Sequence, residues 1–410
     1  MKKISQPDER NRYIEEMRRV LMLKLDDFGD PDDTQILNAI DELVLTKGRE
    51  DMLSLREKEE LRKDLFYSVR KLDVIQELVD DVEVTEIMVN GYDTIFYEKN
   101  GRIFRFRKSF MNEERLMDII QQIAGKCNRV VNEQNPIADA RLENGDRVNI
   151  VLPPVSLSGP IVTIRRFPKD PITMEMLIKG GSLTLEAAQF LRTMVRAGYS
   201  IMVGGGTSTG KTTFLNALSA YIPSEERIVT IEDNAELQIK GITNLVRLEA
   251  KSANLEENKE ITIRDLIKTA LRMRPNRIII GEIRGMEASD FLTCLNTGHS
   301  GSLGTAHANS TRDMIGRLES MVRMGQDLPI PVIRSQIASG IELLIQLTRD
   351  SLGRRKVEEI SEIIGMEGET IKINTIYERD RQGKLVRTGE LSHVKKLELY
   401  EAIERERKAM

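Results

Sequence analysis

At 410 residues with 40% apolar side chains, the chain exceeds one ordinary hydrophobic core; two or three folded domains are expected and disorder is excluded as the default. Charged residues make up 31% but nearly cancel, at a net charge of −4 and a pI near 5.8, which argues against a chain built to wrap nucleic-acid phosphates and leaves room for a local basic patch. The two cysteines, Cys127 and Cys294, stand far apart without a CxxC pair, so neither a disulfide framework nor a zinc site is expected.

The first residues, MKKISQPDERNRY, start basic but carry no apolar h-region and no small-residue cleavage site; no secretory signal is read, and the mature chain is expected to begin at Met1. Nowhere do about 18 consecutive apolar residues occur, so any membrane role is expected to be peripheral. From residue 10 to 75 apolar positions recur at helical spacing, as in RYIEEMRRVLMLKL, ILNAIDELVL and LRKDLFYSVRKL, which predicts a helical N-terminal region over 1–75. From about Val82 short strand-like runs take over (EIMVN, TIFYE, RIFRFR), separated by Asn-Gly turns and followed by a helix near Glu113 to Ile123. RLENGDRVNIVLPP reads as another hairpin and IVTIRRF as a closing strand, making a small α+β domain over 76–167. Pro168, Pro171, Gly180 and Gly181 then mark a hinge linker over 168–182, and two domains hinged there would leave a cleft.

A helix with Thr184 as N-cap and Gly198 just past its end opens the segment 183–360. There SIMV, RIVTIE, RIIIGE, SLGTAH and IELLIQLT recur as apolar strands between helical stretches, which predicts an α/β fold with a parallel sheet covered on both faces. Residues 361–410 give an alternating strand pair, TIKINTIYERD and GKLVRTG, and a charged helix, with no function assigned. No repeat of fixed period and no low-complexity segment occurs.

SIMVGGGTSTGKTTFLNAL holds Gly205-x-x-x-x-Gly210-Lys211-Thr212 where a phosphate loop must lie, directly after an apolar strand and opening an amphipathic helix. Across Gly205, Gly206, Thr207, Ser208, Thr209 and Gly210 the glycines let successive N–H groups turn toward β- and γ-phosphate oxygens, and the positive end of the following helix adds to the attraction. Lys211 supplies a point charge, the Thr212 hydroxyl is placed to ligate Mg²⁺, and Thr213 lines the loop behind it. No Asn-Lys-x-Asp guanine-reading motif follows, which favours ATP.

Ligands of open parallel sheets sit outside the carboxyl ends of the strands. RIVTIEDNAEL ends its strand in Glu232 and Asp233, with Glu236 beyond, and RIIIGEIRG ends in Glu282. Phosphoryl transfer needs one acid to hold the water around Mg²⁺ and another to orient or deprotonate the attacking water; Glu282 is assigned the first role and Glu232 the second. GHSGSLGTAHANS carries His299 and His307, a pair that could sense the γ-phosphate, although a purely structural histidine is the competing reading for His299. Thr262 and Asp265 start a helix that places Arg264, Lys268 and Arg272 on one face, which could reach the chain's own nucleotide or, as arginines supplied in trans, a neighbour's, or simply be solvated.

Taken in order, EIMVNG, ADARLENGDRVN, TIRRF, GGTSTGKTT, IVTIEDNAEL, ALRMRPNRIIIGEIRG, TGHSGSLGTAHANS and QIASGIELLIQL with SEIIGMEG resemble the secretion ATPases of type II and type IV systems, nearest the CpaF/TadA type that serves tight-adherence (Flp) pili, from about Val74 to Met366. The resemblance implies a RecA-like P-loop ATPase domain, a PAS-like N-terminal domain, nucleotide bound between them and a hexameric ring. It matches Lys211 and Thr212 to the Walker A pair, Glu232 to the Asp-box glutamate, Glu282 to the Walker B acid, and His299 and His307 to the His box. Arg141, Arg147, Arg165 and Arg166 stand where the family uses N-terminal-domain arginines against the phosphates, while residues 1–75 are poorly defined by the family pattern. The cysteine-based zinc element of some relatives is missing, so no structural metal is expected. The expectation is a cytoplasmic, Mg²⁺-dependent, homo-hexameric ATPase, peripheral at the inner face of the membrane, that pushes a membrane platform protein to assemble a pilus or drive secretion. A nucleic-acid-stimulated translocase and an ATP-binding scaffold with little turnover are the rivals.

Overall fold

The computed structural model describes residues 7–26, 29, 31–127, 129–142, 144–167, 171–251, 260–350 and 352–409. Two compact units divide the chain, Met1–Lys169 and Asp170–Met410. Pro168, the first residue of the expected hinge, lies outside the described residues.

In the first unit, α1 (Pro7–Leu25), α2 (Asp33–Glu50) and α3 (Leu55–Arg70) pack Leu21, Ile40 and Leu65 into a small core of their own. The starts of α2 and α3 are written locally: Asp32 with Gln35, and Ser54 with Glu57, close reciprocal caps that satisfy N–H groups left open at a helix start. After the single turn α4 (Gln76–Asp80) come β1 (Val84–Asn90), β2 (Ile95–Lys99), β3 (Arg102–Arg105), α5 (Glu113–Lys126), β4 (Ile137–Arg141), β5 (Arg147–Val151) and β6 (Ile161–Arg165). These strands form one antiparallel sheet in the order β3-β2-β1-β6-β5-β4. Leu116, Ile119, Ile120 and Ile123 recur at helical spacing on α5 and share a buried core with alternate strand residues such as Ile87, Val89, Val148, Ile150, Val162 and Ile164.

The second unit begins with α6 (Met174–Lys179), a short helix inside the segment expected to be linker, and α7 (Leu185–Arg196), capped by Thr184. There follow β7 (Ile201–Gly205), α8 (Lys211–Ser219), β8 (Ile228–Glu232), β9 (Leu245–Glu249), α9 (Ile263–Ala270), β10 (Arg277–Ile283), α10 (Glu287–Asn296) and β11 (Leu303–Ala306). The chain continues through α11 (Thr311–Gly325), α12 (Ile330–Gly340), β12 (Leu343–Arg349), β13 (Arg355–Glu367), β14 (Thr370–Arg379), β15 (Leu385–Arg387) and α13 (Lys395–Ala409). One nine-stranded sheet results, β15-β14-β13-β12-β7-β11-β10-β8-β9, parallel from β12 to β9 and antiparallel from β12 to β15. One core cluster joins one side of the sheet to α7 and α8, the other joins the opposite side to α9 through α12. Both faces are thus covered, which is why β7, β8 and β10 are almost continuously apolar and buried rather than alternating.

The boundary expected between 360 and 361 falls inside β13, and β14 and β15 extend the same sheet. The charge-rich sequence RKVEEISEIIGME hides the strand: Arg355, Lys356, Glu358 and Glu359 are at least partly exposed, Val357, Ile360 and Ile363 are buried, and Glu362 is buried with its carboxylate hydrogen-bonded.

Candidate nucleotide site

All six parallel strands end at one edge of the sheet, and the loop after β7 lies among them. Gly204 and Gly205 close β7 because there is no room for a side chain: a Cβ on Gly205 would lie 3.0 Å from the Leu347 carbonyl oxygen, and one on Gly204 2.8 Å from Gln346 Oε1. The loop then turns through two left-handed residues, Ser208 (φ +61°) and Gly210 (φ +90°), before Lys211 opens α8. The first N–H groups of a helix have no carbonyl partner within it, so the loop delivers a set of donors and a positive dipole end to one place. Thr209 Oγ1 donates to the Gly206 carbonyl at 2.9 Å and bridges the loop internally. Lys211 is 8% exposed, and its Nζ donates to the same carbonyl at 3.2 Å and lies 3.4 Å from His307 Nδ1. Thr207 and Ser208 are exposed, while Gly206, Thr212 and Thr213 are half-buried.

Glu282, on β10, carries the centre of the charge cluster. Its Oε2 accepts from Arg284 Nη2 at 2.6 Å, and its Oε1 lies 2.6 Å from His307 Nε2, off the line of a good hydrogen bond. Arg284 also reaches Asp233 at 3.6 Å. Burial alone would raise the Glu282 pKa, but the Arg284 hydrogen bond and charge, with His307 and Lys211, hold it below the ordinary carboxylate value. Burial and the Lys211 charge lower His307, which keeps the imidazole neutral between a cation and a carboxylate.

Glu232, which closes β8, stands in a different environment. It is 2% exposed, its Oε1 accepts from the Glu236 and Leu237 amides at 2.8 and 2.9 Å, and its Oε2 has no hydrogen-bond partner. Burial pushes its pKa up to about 7 despite those two amides. Space for this side chain comes from the neighbouring strand: a Cβ on Gly281 would sit 2.9 Å from Glu232 Cγ. Thr305 Oγ1 donates to the Gly281 carbonyl at 2.6 Å and ties β11 to the same place.

Lys211, Glu282 and His307 therefore meet, but within the second unit His299 and the arginines expected on α9 do not join them. His299 precedes β11 and so lies at the amino edge of the sheet, roughly 13 Å of strand from His307. There its carbonyl accepts from Ser302 Oγ at 2.7 Å and its N–H donates to Cys294 at 3.4 Å. The expected basic face of α9 is split as well. Arg264 is held by Asp290 of α10 at 2.8 Å, while Arg272 sits exposed in the turn beyond the helix, about 12 Å of rise away. In the first unit, Arg141 and Arg147 face each other across the β4–β5 hairpin and Arg165 is opposite Arg147 on β6. Arg141 also lies over the Phe167 ring at 5.5 Å. Arg166 is engaged inside that unit, with Asp146 at 3.0 Å and the Leu78 and Asp81 carbonyls at 3.0 and 3.2 Å.

Four residues of the site escape a reading along the sequence. Arg284 lies two positions past Glu282 and could have been found as the cation of that same segment. Gly281, Gln346 and Arg355 carry no local signal, because each matters through the strand or loop beside it. Among the described residues no three His, Cys, Asp or Glu side chains cluster as a protein-only metal cage. The donors present, a Thr212 hydroxyl and the Glu282 carboxylate, are the hard oxygens that suit Mg²⁺ when phosphates and water complete its shell.

The sequence profile of the type II/IV secretion system protein family matches residues 69–393. A putative conjugal transfer protein of Mycobacterium tuberculosis is 33% identical over 314 residues, which span 75% of this chain and 88% of that protein. The type IV secretion system protein PtlH of Bordetella pertussis is 33% identical over 304 residues, 68% of this chain and 90% of PtlH. Among solved structures, the ATPase DotB of Legionella pneumophila superposes with a TM-score of 0.52 at 20% identity over 72% of this chain and 80% of its own, a likeness of fold. The chain belongs to the type II/IV secretion system protein family.

Proposed function

From that membership we propose that the protein is the ATP-hydrolysing motor of a secretion or pilus machine, working as a homo-hexamer on a polytopic membrane platform protein, and within the family on the tight-adherence (Flp) pilus branch. The observation that carries the reading is the pairing of two unlike acids at one sheet edge: Glu282 held ionised by Arg284 beside Lys211 and His307, and Glu232 buried with one oxygen unpartnered. The loop's N–H groups and Lys211 bind the phosphates, Lys211 exchanging the Gly206 carbonyl for a phosphate oxygen. Glu232, with a pKa of about 7, is poised to take the proton of an attacking water at Oε2. His307, between Lys211 and Glu282, is placed to feel the γ-phosphate through either neighbour. Thr212 and Glu282 would hold Mg²⁺, which neutralises phosphate charge when bound. Among the described residues no helix is long and apolar enough to cross a membrane, so membrane association is assigned to the partner, with the motor on the cytoplasmic side.

The test is ATP turnover by the purified full chain. Glu282→Gln should bind ATP and fail to hydrolyse it, and dilution below the assembly concentration should lower the rate per chain. Wild-type turnover in Glu282→Gln sinks the site assignment, and a rate independent of dilution sinks the ring. Capture of a platform protein of another pilus class would move the motor off the tight-adherence branch. The conjugal-transfer relative favours one second reading, a translocase on nucleic acid; it requires hydrolysis stimulated by DNA with a steep salt dependence.

A further inference from the structure

We propose that Arg355, on the first residue of β13, is a positioning residue for nucleotide binding: it braces the phosphate loop from behind and turns the Ser208–Thr209 peptide so that its N–H faces the ligand. The inference rests on the nucleotide-site reading and extends it to a strand far from the phosphate-loop motif in sequence.

Arg355 Nε donates to the Ser208 carbonyl oxygen at 3.1 Å. A trans peptide is planar with its C=O and N–H pointing in opposite directions, so fixing the Ser208 oxygen toward Arg355 turns the Thr209 N–H to the other side. Ser208 adopts φ +61°, a left-handed conformation that a residue with a Cβ enters only at a cost, and a hydrogen bond to a cation on its own carbonyl offsets that cost. The arginine stem completes the brace by lying over Gly210: a Cβ there would be 3.1 Å from Arg355 Cδ. Glycine at 210 is thus required twice, by its φ of +90° and by the side chain resting on it.

The brace is itself anchored. Arg355 is opposite Arg349 in the β12–β13 register, its carbonyl accepts from Ser182 Oγ at 2.8 Å, and Val357 N donates back to the Ser182 carbonyl at 2.9 Å. Asp350 closes the intervening turn by accepting from the Leu352 and Arg354 amides at 3.0 and 2.8 Å. β12 pairs with β7 on its other side, so the strand that leads into the loop and the residue that braces it belong to adjoining parts of one sheet. A positive charge behind the loop also raises the potential felt by phosphates in front of it.

Arg355→Ala, Arg355→Lys and Lys211→Ala are prepared in the full chain. Affinity for a fluorescent ADP, steady-state kinetics, the melting temperature without nucleotide, and hydrogen exchange over residues 206–212 are measured. Arg355→Ala should weaken ADP binding about tenfold, the scale of one charged hydrogen bond, with the loss in kcat/KM falling on KM. Loop amides should exchange faster while the nucleotide-free melting temperature holds, and Arg355→Lys should recover part of the affinity. Wild-type affinity in Arg355→Ala overturns the brace, as does an affinity that falls only together with the nucleotide-free melting temperature. If Arg355→Ala does not fold, Arg355→Lys decides alone: wild-type affinity and exchange there reject the proposal. The underlying site reading fails separately, and visibly, if Lys211→Ala binds ADP as tightly as wild type.

Discussion

The two edges of the nine-stranded sheet are made of the same strands and treat charge in opposite ways. At the amino edge, buried Arg277 holds Glu226 through two bonds of 2.6 and 2.7 Å and donates to the Val195 carbonyl at 2.5 Å. Close by, Glu362 accepts from the Ser392 and His393 amides at 2.7 Å each, and Glu342 from the Ser200 amide at 2.8 Å and Lys396 at 2.7 Å. These charges complete one another inside the protein. At the carboxyl edge Glu232 Oε2 and Gln346 Oε1 are buried without partners, and Ser208 and Gly210 hold left-handed conformations. A buried polar atom left short costs about 1–3 kcal/mol. Apart from His299 Nδ1, which is also buried without a partner, the amino edge spends these polar groups on cohesion, and the carboxyl edge keeps two of its own open at a cost in stability, as a ligand-binding edge must.

Substitutions that exchange these behaviours test the contrast. The largest effect is expected at Lys211→Ala, which should lower kcat/KM by at least about a thousandfold, roughly 4 kcal/mol, with the melting temperature nearly unchanged; a large loss of stability would place this edge with its opposite. Glu232→Gln should lower kcat by about 10²–10⁴ and remove the acid limb of the pH–rate profile. In the wild type that limb should rise through about pH 7, since only the carboxylate can accept a proton. Stability should move the other way. The folded-state pKa of about 7 stands above the ordinary 4.5, so the protonated form's contribution is complete below pH 4.5 and is lost as pH rises through about 7. Calorimetry across that range with Glu232→Gln as control separates the two.

Arg277→Met should act in the reverse sense. Leaving Glu226 with a half-buried pair broken costs about 3–5 kcal/mol and should lower the melting temperature by roughly 6–20 °C, while turnover per folded molecule stays within twofold. The smallest effect belongs to Lys396→Ala, a partly exposed tie worth about 1 kcal/mol or less, read out as faster hydrogen exchange at the start of α13 rather than as lost activity.

What could be read along the sequence follows the same division. The segment Gly205 to Thr212, Glu232, Glu282 and His307 were legible because each sits at a fixed offset from an apolar strand, and a strand's end is a local property. His299 was placed beside His307 because both stand in one histidine segment, and Arg264 and Arg272 were placed together because they recur on one face of a helix. A strand of four residues is enough to carry His299 to the opposite edge, and a helix of eight to separate the two arginines. Gly281 beside Glu232, and Arg355 behind the loop, were invisible because their meaning is set by which strands become neighbours, which no spacing encodes. The strand β13 was missed for a related reason: its charges, Glu362 buried among them, break the apolar alternation, and the sheet's continuation past residue 360 is set by the pairing with β12 and β14.

The pairing of β7 also has a consequence during synthesis of the chain. This strand, which carries the phosphate loop, lies between β11 and β12, and both are translated long after it. A nascent chain that has emerged only through α8 holds the complete loop motif but neither flanking strand, so Gly204 still lacks Met314, Ala308 and Gln346, and Gly205 lacks Leu347. The ribosome thus delivers the motif early and the strands that flank it late.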